Sequence, residues 1–394
     1  MLKLVWTPGK VQVPALPEYL QTQDSLTLNA STGPLLQAFS RVGLNRMVPA
    51  PQPEPALRAA LDAWLAIKAR PRIVILVHGF SYDPSGRVGN GTDNPFNSVY
   101  GTPGPALDYH NSWLPIIGEC TDTGVSTGED LAIAFAWTSE GSFSQFANVG
   151  WNNPYQYAVF DLAPLAARAL ATVILYLQQS ANVPVHIFAH SLGTRATSLA
   201  FRQLERGPQD EQIGKLILLG GAEYCVDAFA NLTGRAFQVL SVASRIDRVL
   251  SMGGDEFGHP VRYNGTPAAR VIGRDGVKIL PNWLDIQLDH PGVVPWLAGQ
   301  GYTNVSAGHV DGDHSLAWMN HWAYYMNDGN RKLLSDLLAD PDKNIDWFRS
   351  NYFPEGIDAS YYGNFDPFIP ETPTSLDGRR YEPPLPTTNQ GDAT

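Results

Sequence analysis

Cysteine is nearly absent: Cys120 and Cys225 are the only two in 394 residues, too few for a disulfide framework and in keeping with a reducing compartment. Basic residues are also scarce. The chain carries 27 Lys and Arg against 38 Asp and Glu, a formal charge of −11, and the positive residues form no run. Binding to a phosphate backbone needs a clustered basic surface, so this balance argues against a nucleic-acid partner. No apolar stretch approaches the roughly 18 residues of a membrane span; the densest, Leu170 to Leu177, runs directly into Gln178 and Gln179. The opening MLKLVWTPGKVQVPALP lacks the apolar run of a secretory signal, so a soluble, cytoplasmic protein is expected. Triplets such as Asn29 to Ser31 are then chance matches to a glycosylation acceptor.

What is present is an alternation. Short apolar runs, IVILV from Ile73, LAIAFAW from Leu131, VHIFA from Val185, KLILLG from Lys215 and FQVLSVA from Phe237, have the unbroken apolar character of strands buried on both faces. Between the second and third lies a helical stretch in which Leu162, Leu165, Ala169, Val173 and Leu177 follow helical spacing. Another helix follows the third run, through LGTRATSLAFRQLERG, and is expected to stop near Gly207. Strand, helix, strand repeated in this way predicts an α/β protein with a mostly parallel, doubly wound sheet and helices on both faces.

Residues 61–350 are expected to form this domain, with long insertions near 81–128 and 251–310, where glycine, proline and polar turn residues interrupt the rhythm. Such insertions commonly shape a substrate site. Tyr100, Trp113, Trp283 and Trp296 lie in them, suited either to an apolar pocket or to the core. Residues 1–60 form an N-terminal extension, in which KLVW and SLTLN can be peripheral strands. Residues 367–394 form a proline-rich tail.

A lone serine stands where the third run meets its helix, in HIFAHSLGTRA. A side chain at the apex of a tight strand-to-helix turn strains its own backbone and forces the residues two before and two after to be small. Here those are Ala189 and Gly193. The plainer role for Ser191 is to cap the helix that follows. The segment Ala189-His190-Ser191-Leu192-Gly193 resembles the nucleophile elbow of the α/β-hydrolase superfamily, with alanine where glycine is commoner. Upstream, RIVILVHGF from Arg72 to Phe80 is similar to that superfamily's strand and oxyanion loop. The resemblance spans roughly residues 72–337 and implies an α/β-hydrolase fold, a Ser191 nucleophile, and an oxyanion hole made by the backbone N–H groups of Phe80 and Leu192.

The superfamily places the acid and then the histidine after the serine. Asp247, just beyond the strand FQVLSVA, resembles the acid; its plainer role is a turn carboxylate beside Arg245 and Arg248, and Glu223 and Asp227 are alternatives. His321, in MNHWAYYMNDG, resembles the terminal histidine; His314 competes with it, and a core role is open to any histidine among aromatics. The reading is a serine hydrolase, carboxylic esters its expected substrates, acting through Ser191, Asp247 and His321 without a cofactor. An amidase, a thioesterase or a catalytically inactive binding protein on the same fold are the alternatives. An aspartate nucleophile, as in dehalogenases, is disfavoured by serine at the apex. The cluster His309, Asp311, Asp313 and His314 matches no known metal-loop spacing, so no metal is expected. Cys225 reads as a buried small hydrophobe. The sequence is silent on oligomeric state.

Overall fold

A computed structural model describes residues 1–8, 25–30, 55–67, 70–84, 93–139, 155, 158–251, 261–263, 266–267, 270–277, 280–311, 320–355 and 374–375. The apolar runs form five strands: β3 (Ile73–Val77), β4 (Ala132–Trp137), β5 (Val185–His190), β6 (Ile213–Leu219) and β7 (Gln238–Ala243). Nearly every residue in them is buried, which is why they show no polar alternation. Three more strands join them: β1 (Leu2–Pro8) and β2 (Ser25–Ala30) at one edge, and β8 (Trp283–Gln287) at the other. The resulting eight-stranded sheet has the order β8-β7-β6-β5-β3-β4-β1-β2, and every neighbouring pair in it is parallel.

Strand β8 lies within the stretch expected to leave the sheet. Its sequence WLDIQ is broken by Asp285, which hides the strand from an apolar count. The carboxylate is buried but satisfied, accepting from Trp283 Nε1 at 2.9 Å and from the Val277 N–H at 2.8 Å. Burial raises its pKa to about 6. Trp283, Tyr100 and Trp113 are core residues, each at most 1% exposed.

Helices cover both faces. Against one lie α1 (Pro55–Ile67), α2 (Ala163–Ser180), α3 (Leu192–Arg202) and α4 (Cys225–Leu232), burying residues such as Trp64, Leu170, Leu199 and Leu232 with Ile75, Phe135 and Ile187 of the sheet. Against the other lie α5 (Asp328–Ala339) and the segment around Trp113, with Leu334, Leu337, Val74, Phe188 and Leu240 in the shared core. Helix α3 ends at Arg202, before the expected Gly207. The buried Arg235 guanidinium accounts for the early stop, donating to the carbonyls of Phe201, of Leu204 (2.7 Å) and of Glu205 (3.1 Å).

Among the described residues no helix is long and apolar enough to cross a membrane. Both cysteines are buried and unbridged. Of residues 367–394, only Thr374–Ser375 is described, paired antiparallel with Val261 and Arg262. The connection from β3 goes to β4 on one side, while β5 packs on the other. This reversal opens a crevice beyond the carboxyl ends of β3, β4 and β5, where ligands bind in open parallel sheets.

Candidate active site

Ser191 occupies that crevice, one residue past β5. Its backbone has φ 53° and ψ −127°, a left-handed φ that costs a non-glycine residue roughly 1–3 kcal/mol. The neighbours hold it there. The Ser191 N–H donates to Leu219 O at 2.9 Å, and its carbonyl accepts from Thr194 N (3.0 Å), Thr194 Oγ1 (2.7 Å) and Ala222 N (3.0 Å). Its own hydroxyl makes no cap to α3. The need for small residues is visible at Gly193, where an added Cβ would lie 2.4 Å from Val77 O and 2.5 Å from His78 O. Alanine at position 189 packs within the sheet opposite Val77 and Leu218.

The loop after β3 lies directly on the serine. A Cβ on Gly79 would stand 2.6 Å from Ser191 Cβ and 3.2 Å from its Oγ, so only glycine allows the approach. His78 anchors this loop rather than reacting in it. Its Nε2 accepts from the Trp137 N–H at 3.0 Å, so Nδ1 carries the proton and donates to Gly79 O at 2.9 Å. Ser139 Oγ donates to the same carbonyl at 2.7 Å. Two donors therefore fix the peptide joining Gly79 and Phe80, and with it the direction of the Phe80 N–H on its opposite side. Burial pushes the His78 pKa down to about 3, keeping the ring neutral. Ser139 carries no signal in the sequence, and Tyr100, whose OH accepts from His78 N at 2.7 Å and donates to Leu76 O at 2.9 Å, shows there only as an aromatic. The Leu192 N–H opens α3, where the first amides have no partner within the helix.

Asp247 and His321 meet, 74 residues apart in the chain. His321 Nδ1 lies 2.7 Å from Asp247 Oδ2, both side chains 1% exposed. Tyr324 OH donates to the same oxygen at 3.0 Å, and the Leu250 N–H donates to Oδ1 at 3.0 Å. Asp247 is thus both a turn cap and the partner of an imidazole. Its neighbour Arg245 pairs with Asp275, at 3.8 Å. With Nδ1 donating to the carboxylate, His321 Nε2 is left as a base; it is buried and has no hydrogen-bond partner among the described residues.

His321 also lies against the residue next to the serine. The His190 ring is 4.6 Å from the His321 ring, centroid to centroid, and His190 Nε2 donates to His321 O at 3.1 Å. Burial, assisted by the neighbouring His321, holds the His190 pKa well below its ordinary value. Asn320, at φ 51°, sends its side chain to Ile246 O at 3.1 Å and so ties the histidine turn to the acid turn.

The other carboxylates considered from sequence are engaged elsewhere. Glu223 Oε1 and Asp227 Oδ2 lie 2.6 Å and 3.1 Å from Arg195 Nη1 within a buried group. Burial raises the Glu223 pKa while the Arg195 charge opposes the rise. His314 and Asp313 lie outside the described residues. His309 Nε2 pairs with Asp311 Oδ1 at 2.8 Å. Asp311, His110 and Asp328 each offer one atom, all within 4.8 Å of one another. Tyr109 OH donates to Asp328 Oδ1 at 2.7 Å, and the Asp328 N–H to Asp311 Oδ2 at 2.7 Å, which already satisfies both carboxylates in part.

Residues 54–230, somewhat under half of the chain, match a family model described as an alpha/beta hydrolase of unknown function (DUF900). The matched region includes β3, β5 and the Ser191 turn, and stops before Asp247 and His321. No curated protein matches the chain.

Proposed function

We propose, from the premise that this chain is a member of the α/β-hydrolase superfamily, that it is a serine hydrolase cleaving carboxylic esters through Ser191, His321 and Asp247. The observation that carries the reading is the buried Asp247 to His321 bond of 2.7 Å together with the unpartnered His321 Nε2. A fully buried imidazole whose second nitrogen has no protein partner loses a hydrogen bond, a penalty of roughly 1–3 kcal/mol. Its use as a proton acceptor gives that arrangement a reason.

In this mechanism the Ser191 hydroxyl proton passes to His321 Nε2 as Oγ attacks the acyl carbon. Asp247 keeps the imidazole in the Nδ1–H tautomer and stabilises the imidazolium that forms. The N–H groups of Phe80 and Leu192 receive the negative oxygen of the tetrahedral intermediate, each such donor contributing about 2.7–4 kcal/mol. His321 then returns its proton to the departing alcohol, leaving an acyl group on Ser191. Water attacks this acyl-enzyme with His321 again taking the proton, and the carboxylic acid leaves. The strained backbone at Ser191 and the clamped Gly79 carbonyl hold nucleophile and N–H donors before substrate arrives, which is the source of the electrostatic gain.

A chain-length series of p-nitrophenyl esters tests the assignment. Turnover of at least one member, lost in Ser191→Ala while the variant keeps its unfolding midpoint, is expected. Undiminished turnover in Ser191→Ala would contradict it.

A further inference from the structure

At the opposite end of the sheet, about 370 Å³ of open cleft lies among the amino ends of β3, β5, β6 and β7. Its walls include Arg72, His186, Lys215, Gln238, Leu338 and Pro341, and no carboxylate side chain. We infer that this cleft binds a small organic carboxylate carrying an apolar body, at a site separate from the serine. Five residue steps along the chain separate His186 from Ser191, about 16 Å at the usual rise of a strand, so one small ligand cannot span both.

The cleft shows three signs of construction. First, the ladder between β5 and β6 shifts register at His186, and the Lys215 N–H that would serve the ladder donates instead to His186 Nδ1 at 3.1 Å. Such irregularities re-aim side chains. Since Nδ1 accepts, Nε2 carries the proton, and it has no hydrogen-bond partner among the described residues. The residue is only 7% exposed, so an N–H donor is held in one orientation beside the cleft. Second, the imidazole lies over Gly214, where an added Cβ would meet its Cε1 at 2.6 Å; any other residue would push the ring away.

Third, the lining carries basic side chains and no carboxylate; the acids whose charge reaches it lie outside the lining, Glu129 toward Arg72, and Asp340 and Asp342 toward Lys215. Arg72 uses Nη2 on Ile117 O at 3.0 Å, while Nη1 makes no hydrogen bond among the described residues. Lys215 is otherwise committed: its ammonium donates to Leu337 O (2.7 Å), Asp340 O (2.7 Å) and Lys343 O (2.8 Å), closing the carbonyl end of α5. That bond set masks the negative end of the helix dipole, leaving Arg72 and the His186 N–H as the groups that face a ligand. Gln238 uses Oε1 on the Ile345 N–H at 2.9 Å and keeps its amide NH₂ to donate. A cleft lined by donors and by a guanidinium, with no carboxylate in its lining, in a chain of net charge −11, attracts an anion where most of the surface repels one. A single guanidinium with an open Nη1 suits a singly charged ligand. The volume and the prolines and Leu338 leave room beyond a carboxylate for an apolar group, which inorganic phosphate would not fill.

Benzoate serves as the probe, titrated into the full-length chain by calorimetry and by ¹⁵N NMR of the imidazoles, with benzamide and inorganic phosphate as the neutral and the purely ionic controls. Saturable benzoate binding is expected, at least tenfold weaker for benzamide and phosphate, at least tenfold weaker in Arg72→Gln, and unchanged in Ser191→Ala. The His186 imidazole resonance moves on binding and that of His321 does not. The inference fails on any of these results: no saturation, equal affinity for benzamide or for phosphate, no loss in Arg72→Gln, or loss in Ser191→Ala. Should Arg72→Gln not fold, the benzamide comparison and the His186 resonance decide on the unmodified chain. Catalysis does not enter these readouts, so failure here leaves the hydrolase reading standing, and the reverse also holds.

Discussion

Beyond the ends of two neighbouring strands lie buried carboxylates with opposite partners. After β6, Glu223 and Asp227 surround Arg195, each bonded to Nη1. After β7, Asp247 receives three donors, His321 Nδ1, Tyr324 OH and the Leu250 N–H, and no Lys or Arg side chain bonds it among the described residues. A guanidinium holds its proton under all ordinary conditions, so the first group fixes structure. An imidazole releases and takes protons near neutrality, so the second can perform acid and base chemistry. Equal burial therefore says little about role; the pKa of the partner says more.

The sharpest way to break this contrast is to neutralise one acid from each turn. Asp247→Asn is expected to lower kcat on p-nitrophenyl esters by about 10⁴-fold by disturbing the tautomer of His321, with a stability change of only about 1 kcal/mol. Loss of activity in Glu223→Gln with activity kept in Asp247→Asn would exchange the two assignments. Arg195→Met should act on the other axis. It strands two buried carboxylates and is expected to lower unfolding free energy by about 3–5 kcal/mol in urea titrations, while activity per folded molecule persists.

Acid sharpens the comparison further. His78 and His186 are held to pKa values of about 3, and His190 well below its ordinary value, each first by burial. Unfolded imidazoles protonate near pH 6.5. The contribution of His78 and His186 is therefore fully present above that pH and is lost as pH falls from about 6.5 toward 3, at about 1.4 kcal/mol per pH unit for each group, and that of His190 is lost in the same direction. Imidazole ¹⁵N spectra are expected to show His78 and His186 neutral at pH 5 and His190 neutral at pH 6.5, about the ordinary midpoint; a protonated His190 there would contradict the packing drawn for His321. The smallest effect belongs to Tyr324→Phe. Removing one of two donors on Asp247 Oδ2 is worth about 1 kcal/mol, or roughly fivefold in kcat, and no change would mean the hydroxyl only fills space.

Much of this was legible in the sequence because it is local. The turn at Ser191 and the approach of Gly79 impose their residue types within a few positions, so a short string such as AHSLG carries them. The strands buried on both faces were legible as apolar runs for the same reason. Partnership across the chain was not. Nothing near Asp247 or Glu223 states which one meets an imidazole 74 positions away, because that choice is made by the tertiary packing of the turns. Strand β8 escaped notice because Asp285 breaks its apolar run, and its burial is made tolerable only by Trp283 and Val277. His186 read as an ordinary strand residue; its fixed N–H arises from a ladder shift that leaves no mark in composition.

Covalent labelling with a fluorophosphonate, followed by peptide mass spectrometry, reports whether His321 activates Ser191. One adduct is expected, on the peptide bearing Ser191, absent in Ser191→Ala and slowed by at least about 10³-fold in His321→Ala. An unlabelled wild-type chain, or labelling at equal rate without His321, would contradict that activation.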